Sequence, residues 1–243
     1  MTGDVPKLPA PGCDVPADAH ADMQPGDRVA AGLRGFGPLG ILAILVVFAG
    51  NLVIVPLSAI LVLLWAQRSG TPLSEIGFVR PKSWARAVFV GLAFGIALKF
   101  LLKIIVMPLL GAEPINQAYQ FLVGNPSALP GMLYAVIIGA GFGEETLFRG
   151  FMFERLGKLF GCGARAKTLI VLLTAGLFGL AHYLEQGLPG MQQGMIVGLV
   201  FGAIFAVTGR IFMLMIAHAA FDLTALAIIY WNLESAVAHL IFK

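Results

Sequence analysis

The sequence predicts an all-α protein, a polytopic transmembrane helical bundle with about six spans. Three observations carry this. The 243 residues are 58% apolar and only 12% charged, with a mean hydropathy of +0.89, whereas a soluble domain carries about a quarter charged residues. Apolar runs long enough to cross a bilayer recur from residue 38 onward. Those runs are continuous rather than alternating in polarity, which argues against a β-barrel. A formal charge of +3 is too small to indicate nucleic acid as a partner. The partner the composition implies is the lipid bilayer itself.

The elements follow in order. Residues 1–35 hold five prolines and five aspartates among small residues; without apolar periodicity they read as a disordered polar tail. Residues 36–243 form the transmembrane helical domain. From Pro38 to Trp65 one apolar run is interrupted only by Asn51 and Pro56, and it reads as a single tilted helix kinked near Pro56. A second span covers about 84–110. Its Lys99 and Lys103 lie one helical turn apart, so they share a face and line the bundle or a polar cleft rather than lipid. Residues 111–129 are polar and loop-like, with room for a short interfacial helix. Further spans fall at about 130–154, 166–184, 190–208 and 211–231, and 232–243 is a short amphipathic end. Cys13 in the tail and Cys162 in a basic loop give weak support for a disulfide.

Basic residues set the orientation. Arg68, Arg80, Lys82 and Arg86 separate spans one and two; Arg155, Lys158, Arg165 and Lys167 separate three and four; Arg210 separates five and six. The alternate loops carry Glu113 and Glu185 and no Lys or Arg. Six spans with cytoplasmic basic loops put both termini outside. A hairpin in place of the first span would move the N-terminus to the cytoplasm.

Four polar residues interrupt the later spans: Glu144, His182, His218 and Asp222. An ionisable side chain inside a bilayer costs several kcal/mol, so each is a functional-site candidate by default. At 1.5 Å per residue, Glu144 is about 15 Å from the basic end of its span, His218 about 12 Å, Asp222 about 18 Å and His182, the deepest, about 24 Å, a scatter that helix tilt can absorb. One shared intramembrane site is geometrically allowed. Glu145 and Arg149 stand i, i+4 in the favourable order for an ion pair, which leaves Glu144 without a local partner. A desolvated carboxylate of that kind suits general acid–base work. The bland reading, a helix end with snorkelling charges, fits poorly because apolar sequence continues on both sides. Phe178 and His182 share a face at i, i+4. A lone buried histidine is as readily a structural hydrogen-bonding residue as a functional one. His218 and Asp222, again i, i+4, can orient an imidazole, bind a metal together, or serve an oxyanion site; an interhelical hydrogen bond is the structural alternative. The alternatives weaken together, since three helices would each have to place such a group at comparable depth by coincidence.

Glu-Glu-x-x-x-Arg at 144–149, Phe-x-x-x-His at 178–182 and His-x-x-x-Asp at 218–222 resemble the CPBP family of intramembrane proteases. That family, also called Abi, includes the type II CAAX prenyl endopeptidase and bacterial bacteriocin-processing or immunity proteins. The resemblance covers roughly residues 130–231. It implies an intramembrane endopeptidase, a hydrolase acting on hydrophobic or lipidated peptide substrates, in a bacterial inner membrane. It makes Glu144 the catalytic glutamate, His182 its partner in activating water, and His218 with Asp222 the oxyanion-stabilising pair, supported by Glu145, Arg149 and Phe178. Other members carry asparagine where this chain has Asp222. An ionised carboxylate cannot donate to an oxyanion, so Asp222 must be protonated, orient His218 or bind a metal. The glutamate mechanism requires no cofactor, while Glu144, His182 and His218 would be the ligands if Zn²⁺ were bound. Against zinc, no helix carries the H-E-x-x-H motif. Two other classes stay open: a non-enzymatic scaffold or bacteriocin-immunity factor with the same fold, and a proton-coupled transporter, for which no inverted repeat is evident.

Overall fold

The computed structural model describes residues 25–53 and 56–242. The tail expected over 1–35, with its Cys13, therefore lies outside the described residues up to residue 24. Its last stretch is helical, Pro25–Arg34 (α1). Helices α2 (Pro38–Val53), α3 (Leu57–Ser69), α4 (Trp84–Leu109) and α5 (Pro126–Phe160) follow. Then come α6 (Ala164–Thr208), α7 (Phe212–Tyr230) and the short α8 (Glu234–Ala238). Among the described residues there is no strand. Four of these helices are long and apolar enough to cross a membrane: α4, α5, α6 and α7.

The first apolar run is not one kinked helix. Helices α2 and α3 fold back on each other. A methyl placed on Gly50 would lie 2.7 Å from Leu61 Cδ1 and 3.3 Å from the Ser58 Cα, a closeness that only side-by-side helices give. Pro56 opens the second helix, where its missing N–H costs nothing. Gly70, at φ 66°, closes it by sending its N–H back to the carbonyls of Ala66 and Gln67. The 13 residues of α3 reach about 20 Å, short of a hydrocarbon core of about 30 Å. At the tip, Pro56 Cβ is 3.2 Å from where a Gly143 methyl would be, one residue before Glu144. At the base, Trp65 Nε1 donates to the Leu33 carbonyl at 3.0 Å. Arg155 donates to the carbonyls of Leu33 at 3.3 Å and Arg34 at 2.7 Å and stacks over Trp65 at 4.9 Å. Its charge is balanced by Glu154 at 2.6 Å, a carboxylate that Lys158 also reaches. The hairpin thus enters from the end that carries the basic loops and dips to the level of Glu144. That geometry puts α1 beside those loops and revises the orientation of the N-terminal end.

The two spans expected at 166–184 and 190–208 are the two arms of α6. Gly187, at φ 63° and ψ −157°, occupies a conformation open essentially to glycine alone, and Pro189 starts the second arm. The arms pack antiparallel. A methyl on Gly194 would lie 3.1 Å from the Gly179 Cα, and one on Gly198 2.8 Å from the Ala175 Cα. Lys167 Nζ donates to the Ala206 carbonyl at 2.9 Å where the arms end. Small residues let the backbones approach, as membrane helix pairs require. With α6 counted as two crossings, five crossings and the hairpin agree with about six spans.

Helix α7 sits at the centre. Gly95 of α4 faces Ala217 so closely that a methyl there would collide with the Ala217 carbonyl oxygen, and Gly91 meets Met213 and Ile216 in the same way. On its other side, a methyl on Gly141 of α5 would be 3.0 Å from the Met215 carbonyl oxygen and the Ala219 Cβ. His218 is therefore delivered to the middle of the bundle, 3% exposed.

Candidate active site

Over Ala135–Phe151, α5 is wound with wider, i→i+5 turns, a winding that recurs at functional sites. Glu145 and Arg149 stay on one face and pair at 2.7 Å, both fully inside. Arg149 also lies over the rings of Phe178 at 4.7 Å and Phe201 at 5.4 Å, so its charge is held by one carboxylate and two aromatic faces. The same Glu145 Oε1 meets His218 Nδ1 at 2.7 Å. Glu145 thus links the arginine of its own helix to the imidazole of α7.

With Nδ1 occupied, His218 turns Nε2 toward two other carboxylates, Glu144 Oε2 at 3.7 Å and Asp222 Oδ2 at 3.6 Å. Both are beyond direct hydrogen-bond length, the separation at which a bridging group fits. Their side chains are about a quarter exposed, 25% for Glu144 and 26% for Asp222, against 4% for His218. The two carboxylates therefore rim an opening whose floor is the imidazole. Asp222 does not hold the Nδ1 edge of His218; Glu145 does. Glu144 Oε2, Glu145 Oε2 and Arg149 Nη2 are buried and have no hydrogen-bond partner among the described residues, a concentration of unmet polar capacity at one place.

His182, on the first arm of α6, binds the Phe178 carbonyl through Nδ1 at 2.8 Å. That bond fixes the ring and leaves Nε2 as its free nitrogen. Gly194 of the second arm makes the room: a methyl there would be 3.3 Å from His182 Nδ1. The ring is 4.6 Å from Phe178, which also packs edge-on against His218 at 5.9 Å. Phe178 is the common aromatic wall between the two imidazoles.

A polar clasp covers the end of the bundle beyond the site. Glu234 of α8 takes Lys103 Nζ at 2.9 Å, the Asn116 N–H at 3.2 Å and Gln120 Nε2 at 3.1 Å. Asn116 Nδ2 donates to Gln186 Oε1 at 3.3 Å, and Gln186 Nε2 donates to the Tyr119 hydroxyl at 3.4 Å. The segment 111–129 is thereby tied to α4, α6 and α8, with its short helix at Gln117–Leu122. Burial, then the carboxylates of Glu185, Asp222 and Glu144, push the Tyr119 phenol up to about 12, so it stays a neutral hydroxyl. The inward face expected for Lys99 and Lys103 is present, and both lysines find polar partners.

The structure brings Glu144, His218 and Asp222 together, with Glu145 behind them and His182 across Phe178. No group of three or more His, Cys, Asp or Glu side chains is arranged to hold a metal ion among the described residues. Both Nδ1 atoms are engaged, which leaves each Nε2 as the nitrogen that could ligate, but the side chains are not gathered around one point. The zinc set Glu144, His182 and His218 does not fit as it stands, and no step below passes through a metal.

Residues 126–224 match the family model described as Type II CAAX prenyl endopeptidase Rce1-like. The match begins with α5, spans both arms of α6 and ends two residues past Asp222, so it contains every motif residue. No curated protein and no solved structure matches the chain.

Proposed function

We propose that this chain, whose residues 126–224 match the family model described as Type II CAAX prenyl endopeptidase Rce1-like, hydrolyses peptide bonds inside the membrane with Glu144 as the general base. The observation behind the reading is the convergence of Glu144 and Asp222 on one nitrogen of His218, whose other nitrogen is held by Glu145. Glu144 Oε2 is a buried acceptor without a hydrogen-bond partner among the described residues. It would hold a water and take its proton as the oxygen attacks the scissile carbonyl. His182, anchored through Nδ1, offers its free nitrogen to the same water.

The tetrahedral oxyanion needs a donor. As an imidazolium, His218 donates from Nε2, and Glu145 is placed to balance that charge through Nδ1. Asp222 then favours the protonated ring, whereas an asparagine at this position would donate to the oxyanion itself. The proton on Glu144 leaves with the departing amine, so the carboxylate returns to its starting state. The substrates are hydrophobic or lipidated peptides that reach the opening from the bilayer.

The test is cleavage of a quenched lipidated-peptide library by detergent-purified protein. Glu144→Ala should lower the rate by about 10²–10⁴-fold, the usual contribution of a general base, and Asp222→Asn should retain activity. Equal cleavage by wild type and Glu144→Ala would overturn the assignment.

A further inference from the structure

One corner of the bundle, at the end that carries the basic loops, gathers cations that no carboxylate balances. The loop leading into α4 and the turn leading into α7 are bound to each other there. The Ile211 N–H donates to the Gly77 carbonyl at 3.0 Å, and Arg210 Nη1 donates to the Arg80 carbonyl at 3.2 Å. Phe212 packs edge-on against Phe78 at 5.6 Å and Trp84 at 5.0 Å. Ser83 caps α4 by accepting from the Arg86 N–H at 3.3 Å. Arg80, Lys82, Arg86 and Arg210 are thereby held at one place; the first three are exposed and Arg210 is half-buried.

The other basic loop uses its charges differently. There Arg155 and Lys158 share the buried Glu154, and Lys167 Nζ donates to the Ala206 carbonyl, so those cations hold the fold together. At this corner none of the four has a carboxylate within 4.0 Å among the described residues. From Arg68 to Arg86 the chain has one acid, Glu75, against four basic residues. Like charges gathered in this way repel one another, and an anion among them would relieve the repulsion.

What lies beside the cations selects the anion. Trp84, Val88, Leu92 and Ile96 follow one another at i, i+4 along α4, each 40–45% exposed. Steps of four residues keep a stripe on one helix face, and a tryptophan at its head belongs at the membrane–water boundary. From Trp84 to Leu92 the stripe descends about 12 Å, most of one leaflet of a hydrocarbon core about 30 Å thick. A free phosphate or an acidic peptide would use the cations and ignore the stripe. An amphiphile with an acidic head uses both.

We propose that this corner is a headgroup site for an anionic phospholipid of the adjoining leaflet. Its phosphodiester sits among the four cations, and an acyl chain lies along the stripe that begins at Trp84. The proposal is independent of what the site at Glu144 hydrolyses. Its structural consequence is a clamp: the headgroup bridges the start of α4 to the start of α7, the helix that carries His218 two turns further in.

The experiment uses the full-length chain, delipidated in a non-ionic detergent. Phosphatidylglycerol and phosphatidylcholine with the same acyl chains are titrated separately, and bound lipid is counted by native mass spectrometry. A basic residue at a membrane surface strengthens binding of acidic lipid about fivefold. Lys82→Gln with Arg86→Gln should therefore weaken phosphatidylglycerol about 25-fold and leave phosphatidylcholine unchanged, while Lys82→Arg keeps wild-type binding. Arg165→Gln, a cation of the other basic loop, should change neither. Equal binding of the two lipids by the wild-type chain overturns the proposal without any variant having to fold. So does an equal loss in Arg165→Gln, the mark of diffuse charge attraction. Displacement of the lipid by glycerol 3-phosphate or a glutamate oligomer at the lipid's own concentration would assign a site for a free anion, and also overturns it.

Discussion

Glu145 does more at the residue scale than its own motif suggests. One of its oxygens serves Arg149 and His218 together, each at 2.7 Å. Glu145→Gln keeps the shape and removes the charge. It should slow cleavage about 10–100-fold, as loss of an outer partner of a functional imidazole does, with KM nearly unchanged, in steady-state kinetics on a lipidated peptide. Arg149→Leu breaks the buried pair and leaves Glu145 with His218 alone; it should cost about 3–5 kcal/mol of stability, read as a lowered unfolding midpoint in detergent. Spacing alone predicts the Glu145–Arg149 pair, because i, i+4 is a property of one helix. The contact with His218 lies 73 positions away in sequence, where helical periodicity carries no information. For the same reason Asp222 could be placed on the face of His218, but which ring edge it addresses could not be read.

Glycines decide at the scale of elements which helices can meet. One expected feature, the first apolar run, differs in the structure, and it turns on backbone reversal. The run from Pro38 to Trp65 has the length of one tilted span, and hydropathy cannot distinguish that from two short helices folded together. What breaks the tie is tertiary: Gly50 admits α3, and Pro56 packs on Gly143. The turn at Gly187 sits between two runs that hydropathy does separate, so both arms were legible. Gly187→Val places a β-branched residue at φ 63° and should destabilise the protein by about 1–3 kcal/mol, measured by thermal unfolding. Gly95→Val drives a side chain into the Ala217 carbonyl, the residue before His218. It should lower kcat more than Gly187→Val does, because it displaces the element that carries His218, whereas Gly187→Val strains the turn between the two arms of α6, five residues beyond His182.

For the whole molecule, charge and geometry together assign the sides. Alternation of basic and acidic loops gives the topology of everything from α4 to α7, and five crossings leave the ends of α3 and α7 on opposite sides. The N-terminal end could not be assigned from charge, since one crossing and a hairpin leave the same basic loop at 68–86. Leu33 and Arg34 settle it by contact: their carbonyls accept from Arg155 and Trp65, residues at the end of α5 and α3 that carries the basic loops. By the excess of Lys and Arg this side is expected to be the cytoplasmic one. A cysteine placed at Arg28 should therefore react with a membrane-impermeant maleimide from the same side as one at Arg80, and from the opposite side to one at Glu113. If Arg28 labelled with Glu113, the first run would have to cross once, and the Pro56–Gly143 contact could not exist in the membrane. The site depends on that contact, because the hairpin tip is what closes α5 beside Glu144 on the face away from α7. Shared-side labelling of positions 28 and 80 thus tests the depth of the opening as well as the path of the chain.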